Sequence, residues 1–266
     1  MMKLGSINRS LRVNLANVVT APNFWISAML LFGVLFAEVA EGAFLGPWRM
    51  ADQSGFGDAY YFNISLHFGY YIYAAPLACA FAASGMFVSD LEAGFYRLRL
   101  MKSGRREYQY GLFLGTTIGG GLALMVGVLL FAVACSIIYL PYYPATDLVA
   151  PQAWLPMLKG QMGNWNFMLV SALLAFLFGM VWSGVGLAIS VLSPNRYVSY
   201  LAPFIICFCA VLALPKEFQP LEMLVQMSWY ETFTFPKLIR YQAVLYFTVM
   251  AWFRYAFERR VIRGQG

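Results

Sequence analysis

Charge is what this chain of 266 residues has least of: only 11% of it is Asp, Glu, Lys or Arg, against 61% hydrophobic and 18% aromatic residues. A soluble domain of that composition could not cover its own surface with polar groups, so a soluble globular fold is excluded. Histidine is reduced to His67, with no second His or acid at helical ligand spacing, which reads as a packing or interfacial residue rather than a catalyst or metal ligand. The four cysteines, Cys79, Cys135, Cys207 and Cys209, fall in apolar runs without CxxC spacing. Cys207 and Cys209 are too close in a helix to bridge each other well, so neither a metal site nor a disulfide framework is indicated, and all four read as buried small apolar residues. No G-x-x-x-x-G-K-[ST] occurs, so the chain has no P-loop for nucleotide phosphates and any energy from ATP has to arrive through another polypeptide. Intramembrane proteolysis needs paired aspartates, a Ser/His pair or an HExxH zinc helix, and the apolar runs supply none. A metal-dependent lipid transferase needs clustered acids at the membrane boundary, where Asp90 and Glu92 are the only candidates. No catalytic residue, cofactor site or metal site is therefore assigned. The N-terminus lacks the short apolar core and small-residue cleavage site of a secretory signal, so the first apolar run is expected to be a retained helix.

What is present is a series of charge-free runs: 13–37, 59–89, 108–146, 160–195 and 197–215, then a shorter one, 241–253, that extends past Arg254. A bilayer core of ~30 Å takes ~20 apolar helical residues. The first four runs exceed that, the fifth just fits, and the last works if Arg254 snorkels to the headgroups. The runs are continuous rather than alternating, which favours a helical bundle over a barrel. The expected fold is an all-α integral membrane protein, one domain over 1–266, with six transmembrane helices at 24–44, 66–88, 111–140, 167–192, 197–214 and 241–257.

Charge orients the bundle. With six spans, one side carries Lys3, Arg9, Arg12, Arg97, Arg99, Lys102, Arg105, Arg106, Arg196, Arg254, Arg259, Arg260 and Arg263, thirteen of the eighteen basic residues. By the positive-inside rule that side, with both termini, is cytoplasmic. Residues 1–23 interleave Leu11, Val13, Leu15, Val18 and Val19 with Arg9, Arg12, Asn14 and Asn17, ahead of Pro22. This predicts an interfacial helix that turns into the membrane at the proline; the alternative is a disordered basic arm. On the other side, 45–65 and 141–166 carry Trp48, Tyr60, Tyr61, Trp154 and Trp165 as an interfacial belt. The half-apolar segment 215–240 is expected to form short helices on or in the outer leaflet.

The most informative stretch is the joint after the second span, residues 90–107. It holds acids at Asp90 and Glu92, Gly94, alternating cations Arg97 and Arg99, a Ser103–Gly104 turn and Arg105–Arg106–Glu107 before an aromatic helix start. Leu91, Phe95, Leu98 and Met101 recur at about helical spacing, so a short surface helix here would turn one apolar face to the bundle or to a partner. Charge alone also fits a solvated positive loop. The stretch resembles the joint of ABC transporter permeases of the second, exporter-like type: one or two acids, a Gly, an amphipathic turn, a Ser/Gly–Arg pair, then Tyr108 and Tyr110 opening span three. The order of elements is similar throughout, including the Pro-containing turn at Leu192-SPNRYVSYLAPF-Phe204. Where that family often has Lys after the Tyr, this chain reads Tyr110–Gly111–Leu112.

The resemblance implies a permease subunit whose joint is a coupling helix, with Asp90, Glu92, Gly94, Phe95, Arg97, Arg99, Arg105 and Arg106 meeting an ATPase. Two ATPase copies, carrying ATP and Mg, and a second permease chain, identical or related, are the implied partners, with membrane lipids around them and no nucleic acid. It implies a bacterial cytoplasmic membrane. The pairing surface is expected on spans one, two and five, where Met29, Phe204 and Phe208 offer bulky apolar groups. Glu38 and Glu41, three apart and on one helical face, are either interfacial carboxylates or an outer vestibule for a cationic substrate. Gly119–Gly121 predicts close helix packing. An apolar, Met- and aromatic-rich bundle suits export of an amphipathic peptide, drug or lipid-like molecule. An ATP-independent transporter or channel is a rival, though it usually needs mid-membrane acids or broken helices. A non-transporting scaffold or sensor is another.

Overall fold

The computed structural model describes residues 4–45, 58–139, 164–215, 218–220 and 235–262. Among these residues the chain is helical apart from short turns between helices and contains no strand. The elements are α1 (Leu4–Thr20), α2 (Pro22–Leu45), α3 (Asp58–Phe68), α4 (Tyr71–Ala83), α5 (Met86–Glu92), α6 (Phe95–Ser103), α7 (Arg105–Ile138), α8 (Asn164–Leu192), α9 (Arg196–Ala213) and α10 (Phe235–Ile262). Five stretches are long and apolar enough to cross a membrane: Pro22–Ala40, Tyr71–Glu92, Arg105–Ile138, Trp165–Leu192 and Arg196–Ala213. The chain is thus a multi-pass helical membrane protein.

The sixth expected span, 241–257, lies within α10 but is not one of these five. At 28 residues α10 has the length. It falls short in composition, because Arg254 interrupts the apolar run and Lys237, Arg240, Glu258, Arg259 and Arg260 crowd its ends. The second span also differs from expectation. Instead of running unbroken over 66–88, it is interrupted at Gly69–Tyr70 and begins at Tyr71, reaching through a loosened turn at Ser84–Gly85 to Glu92. Most of 141–166 and 215–240 lies outside the described residues.

Two helices form the axis, α7 and α8, which pack on each other more extensively than any other pair. Their contact is close because it is built from backbone: a Cβ added at Gly179 would stand 2.8 Å from Gly121 Cα and 2.9 Å from Gly120 O. In lipid, where apolar burial drives little helix association, such small-residue seams let dispersion and shape do the work. At 34 residues and about 1.5 Å per residue, α7 is about 51 Å long, well beyond a ~30 Å hydrocarbon core.

The N-terminal segment is an ordered helix that lies lengthwise on α7. Ser10, Asn14 and Val18, spaced by four, meet Gly111, Gly115 and Gly119, also spaced by four, so α1 and α7 run parallel in contact. Asn14 and Val18 are buried while Arg9 and Arg12 stay exposed. The chain bends at Ala21 and Pro22 opens α2, where a proline costs no helical hydrogen bond. Helix α2 then continues along α7, its Ala28 carbonyl lying over Gly127.

On the periphery, α9 packs only on α8 and α4 to any extent and is the least buried span. The expectation that all four cysteines are buried fails there. Cys79, Cys135 and Cys207 are buried, but Cys209 is exposed, because two residues along a helix turn a side chain by about 200°, to nearly the opposite face.

Candidate functional site

The joint between the second and third spans is made by two glycines. Gly94 has φ 70° and Gly104 φ 79°, ψ 153°, conformations an L side chain strains to adopt. Between them α6 is nine residues long, a rigid rod with a sharp corner at each end. Its orientation is set by what lies beneath it. Tyr96 is buried at 3% exposure and meets the rings of Phe87, Tyr108 and Phe257 at centroid distances of 5.6, 5.9 and 6.3 Å. Burial pushes the Tyr96 phenol above its usual range, opposed by the nearby charges of Arg260 and Arg105. The guanidinium of Arg260 lies 5.6 Å from the centre of the Phe87 ring and donates to Val191 O at 2.7 Å. Gln109 Nε2 reaches Arg254 O at 3.3 Å. The joint is thereby fastened to the C-terminal halves of both α8 and α10.

Beside this aromatic cluster sits a polar one. Asp90, buried on α5, accepts at Oδ2 from Arg99 Nη1 of α6 at 2.8 Å and from the Tyr108 hydroxyl of α7, also at 2.8 Å. The same Arg99 nitrogen donates to Asn14 Oδ1 of α1 at 3.2 Å. One carboxylate thus ties three consecutive helices together, and its arginine adds a fourth. The pair is charge-assisted and largely withdrawn from water, the setting in which losing one partner is costly.

With Tyr96 and Arg99 turned inward, the opposite face of α6 is bare. Phe95, Leu98 and Met101 are 53, 58 and 76% exposed. Lys102, Arg105 and Arg106 stand exposed around them, as does Arg97. The apolar stripe read in the sequence therefore divides: Leu91 packs against the core, whereas the three α6 residues face outward. Glu92, at the end of α5, forms an ion pair with Arg196 at the start of α9.

Of the residues singled out as a coupling segment, Phe95, Arg97, Arg105 and Arg106 lie on the outside of the joint. Asp90 and Arg99 form its internal tie, Gly94 is its hinge-shaped corner, and Glu92 links it to α9. The vestibule pair is differently placed. Glu38 accepts a hydrogen bond from the Tyr70 N–H, holding one of the amides freed where α4 begins, and its carboxylate occupies the space above Gly69. The side chain of Glu41 lies outside the described residues. On the proposed pairing face, Met29 is 54% exposed, and Phe208 is exposed with the Phe204 ring tilted beside it at 5.7 Å.

Sequence reading did not single out Tyr96, Asn14, Phe87 or Arg260 for the site. Tyr96 lies between the noticed Phe95 and Arg97, and its inward direction depends on the Gly94 corner, whereas Asn14 was read only as part of an interfacial helix and is turned inward by its packing on Gly115. Among the described residues no group of three or more His, Cys, Asp or Glu could hold a metal ion. No family model, no curated protein and no solved structure matches the chain.

Proposed function

We propose that this chain is the permease subunit of an ATP-driven ABC transporter of the exporter-like, six-helix type, set in a bacterial cytoplasmic membrane with both termini inside. The observation that carries the reading is the outward face of α6: three exposed apolar side chains among exposed cations, on a short helix fastened from behind. Full burial of an apolar side chain of this size contributes about 1.5–3 kcal/mol, so an acidic groove with an apolar floor gains from covering Phe95, Leu98 and Met101. The anchorage supports a mechanical role. A load on α6 passes through Arg99 and Asp90 to α5 and the second span, through Tyr108 to α7, and through Asn14 to α1.

In this reading α6 is the coupling helix and α10 the sixth span, with Arg254 at its charged end paired to Glu258 at 3.0 Å. Two ATPase copies close on ATP and Mg and push α6, and the bundle shifts as a near-rigid body between states of different access. This chain holds neither nucleotide nor cofactor. A second permease chain meets it on α2, α4 and α9, with Met29, Phe204 and Phe208 at the contact, and the cargo is an amphipathic or hydrophobic molecule such as a peptide, an antibiotic or a lipid-like compound.

The test is reconstitution with a candidate ABC ATPase from the same organism. The wild-type pair should co-purify and hydrolyse ATP faster with cargo present. Leu98→Asp with Met101→Asp should abolish both while membrane insertion and thermal stability are retained. An unaltered complex with full transport would return α6 to a solvated loop.

A further inference from the structure

Two cavities meet on the face formed by α2, α4 and α9. The larger, about 450 Å³, is walled by Ile26 and Leu30 of α2, Ala74, Leu77 and Ala78 of α4, and Leu201 of α9. The smaller, about 210 Å³, lies against it at the joint end of the bundle and is of mixed polarity, with Asn17, Asn23, Ser89 and Asp90 in its wall beside Val18, Ala82 and Met86. Both share Phe81 and Tyr200, whose rings meet edge to face at 5.2 Å and form the step between them. The larger volume falls in the range of small-molecule sites, ~300–1,000 Å³.

Two of the three walls grade from polar to apolar in the same direction. On α2, Asn23 lines the smaller pocket, and Ser27, one turn or about 6 Å deeper, and Leu30 line the groove. On the α4–α5 side, Ser89 and Asp90 give way to Phe81, then to Ala78 and Ala74. This gradient matches a leaflet, with headgroup at the end of the bundle, ester bonds a turn inside and hydrocarbon beyond. One polar atom fits that occupant. Asp90 takes both of its hydrogen bonds on Oδ2, leaving Oδ1 as an acceptor of negative character for a cationic donor.

We propose that the two cavities form a binding site for a phospholipid of the leaflet at the joint end, with one acyl chain in the α2–α4–α9 groove and a primary-ammonium headgroup in the smaller pocket. The lipid sits where the second span meets the Asp90 tie, so its occupancy biases the element that α6 would move. The groove lies on the face that the transport reading gives to a second permease chain, so the two occupants compete for it, and the crosslinking arm of the test distinguishes them.

The experiment uses the full chain in phosphatidylcholine vesicles doped with an acyl-diazirine phosphatidylethanolamine or, separately, phosphatidylglycerol, with labelled residues located by mass spectrometry. The ethanolamine probe should label Leu30, Leu77 and Leu201 at least fivefold above Ile137 and Phe247, which are 78 and 65% exposed on other faces. The glycerol probe should not show that excess. Leu30→Trp, and separately Ala74→Trp from the opposite wall, should remove it without changing the label at Phe247, which also controls for folding. Asp90→Asn, which keeps an acceptor for Tyr108, should erase the difference between headgroups while acyl labelling persists. Labelling no higher than at the controls would reduce the groove to bulk lipid contact. Equal labelling by both probes would refute headgroup recognition. Disulfides between Leu30→Cys and Leu201→Cys of two copies, with the lipid label lost, would give the groove to a second copy instead.

Discussion

Replacing Asp90 by alanine should loosen the joint more than any other single substitution in it. The magnitude follows from what is left behind. The Tyr108 side chain is at 1% exposure and loses its only acceptor among the described residues, which costs about 1–3 kcal/mol for a buried unsatisfied hydroxyl. Arg99 suffers less, since its side chain is 30% exposed and it keeps Asn14 Oδ1. Removing one member of a fully buried ion pair costs about 3–5 kcal/mol, and with Arg99 partly reached by water the total should fall near ~2–4 kcal/mol. Asp90→Asn keeps an acceptor for the tyrosine and should cost about 1 kcal/mol. Tyr108→Phe removes the hydroxyl together with its need, so it should cost roughly 1 kcal/mol alone and close to nothing on top of Asp90→Ala. The assay is reversible unfolding in mixed micelles of dodecyl maltoside and SDS, followed by tryptophan fluorescence, with all four corners of the Asp90/Tyr108 cycle measured. Additive losses would refute the tie, as would an Asp90→Ala variant within 0.5 kcal/mol of wild type, the scatter expected of an ordinary surface change.

Three further outcomes follow from the packing. Gly115→Val should displace α1, because even a Cβ there stands 2.6 Å from Asn14 Cβ and 3.3 Å from backbone on the facing helix; a loss of about 1–3 kcal/mol is expected, with new protease sensitivity before Pro22, and full protection with unchanged stability would contradict the ladder. Gly104→Ala should cost at least ~1–3 kcal/mol, the range for a residue held in a glycine-only backbone region, and should slow hydrogen exchange nowhere while speeding it across α6. In intact cells, an impermeant maleimide should modify thiols introduced in 45–65 and 141–166 but not at Arg105 or Arg263, and labelling of the last two from outside would reverse the orientation drawn from charge.

What the sequence made legible was set by solvent. A lipid core requires apolar runs of a known length, so five of the six expected spans stand nearly where the charge-free segments put them, and the weak one is the run that Arg254 cuts short. The tertiary consequences of those runs were less visible. That Gly119–Gly121 marks close packing could be read, but not that each glycine serves a different neighbour: Gly119 faces α1, while Gly120 and Gly121 meet different parts of α8. Likewise Glu38 sits on the expected helix, yet its partner is a backbone amide 32 residues away, a relation that no spacing within one helix encodes.

The joint shows the same division more sharply. Residue types and spacing marked 90–107 as a short surface helix carrying cations, and Arg97, Lys102, Arg105 and Arg106 are exposed there. The direction of α6 could not be read, because it depends on two glycine corners, and a small change in either would rotate the helix about its own axis by a residue or two, or 100–200°. Such a rotation would bury Phe95, Leu98 and Met101 and expose Tyr96. The Tyr96–Phe87–Tyr108–Phe257 cluster and the Asp90 tie select one setting out of several the local pattern permits. The bare apolar face is therefore a consequence of the buried polar cluster behind it, so a variant that breaks the tie should also blur the face that any partner would recognise.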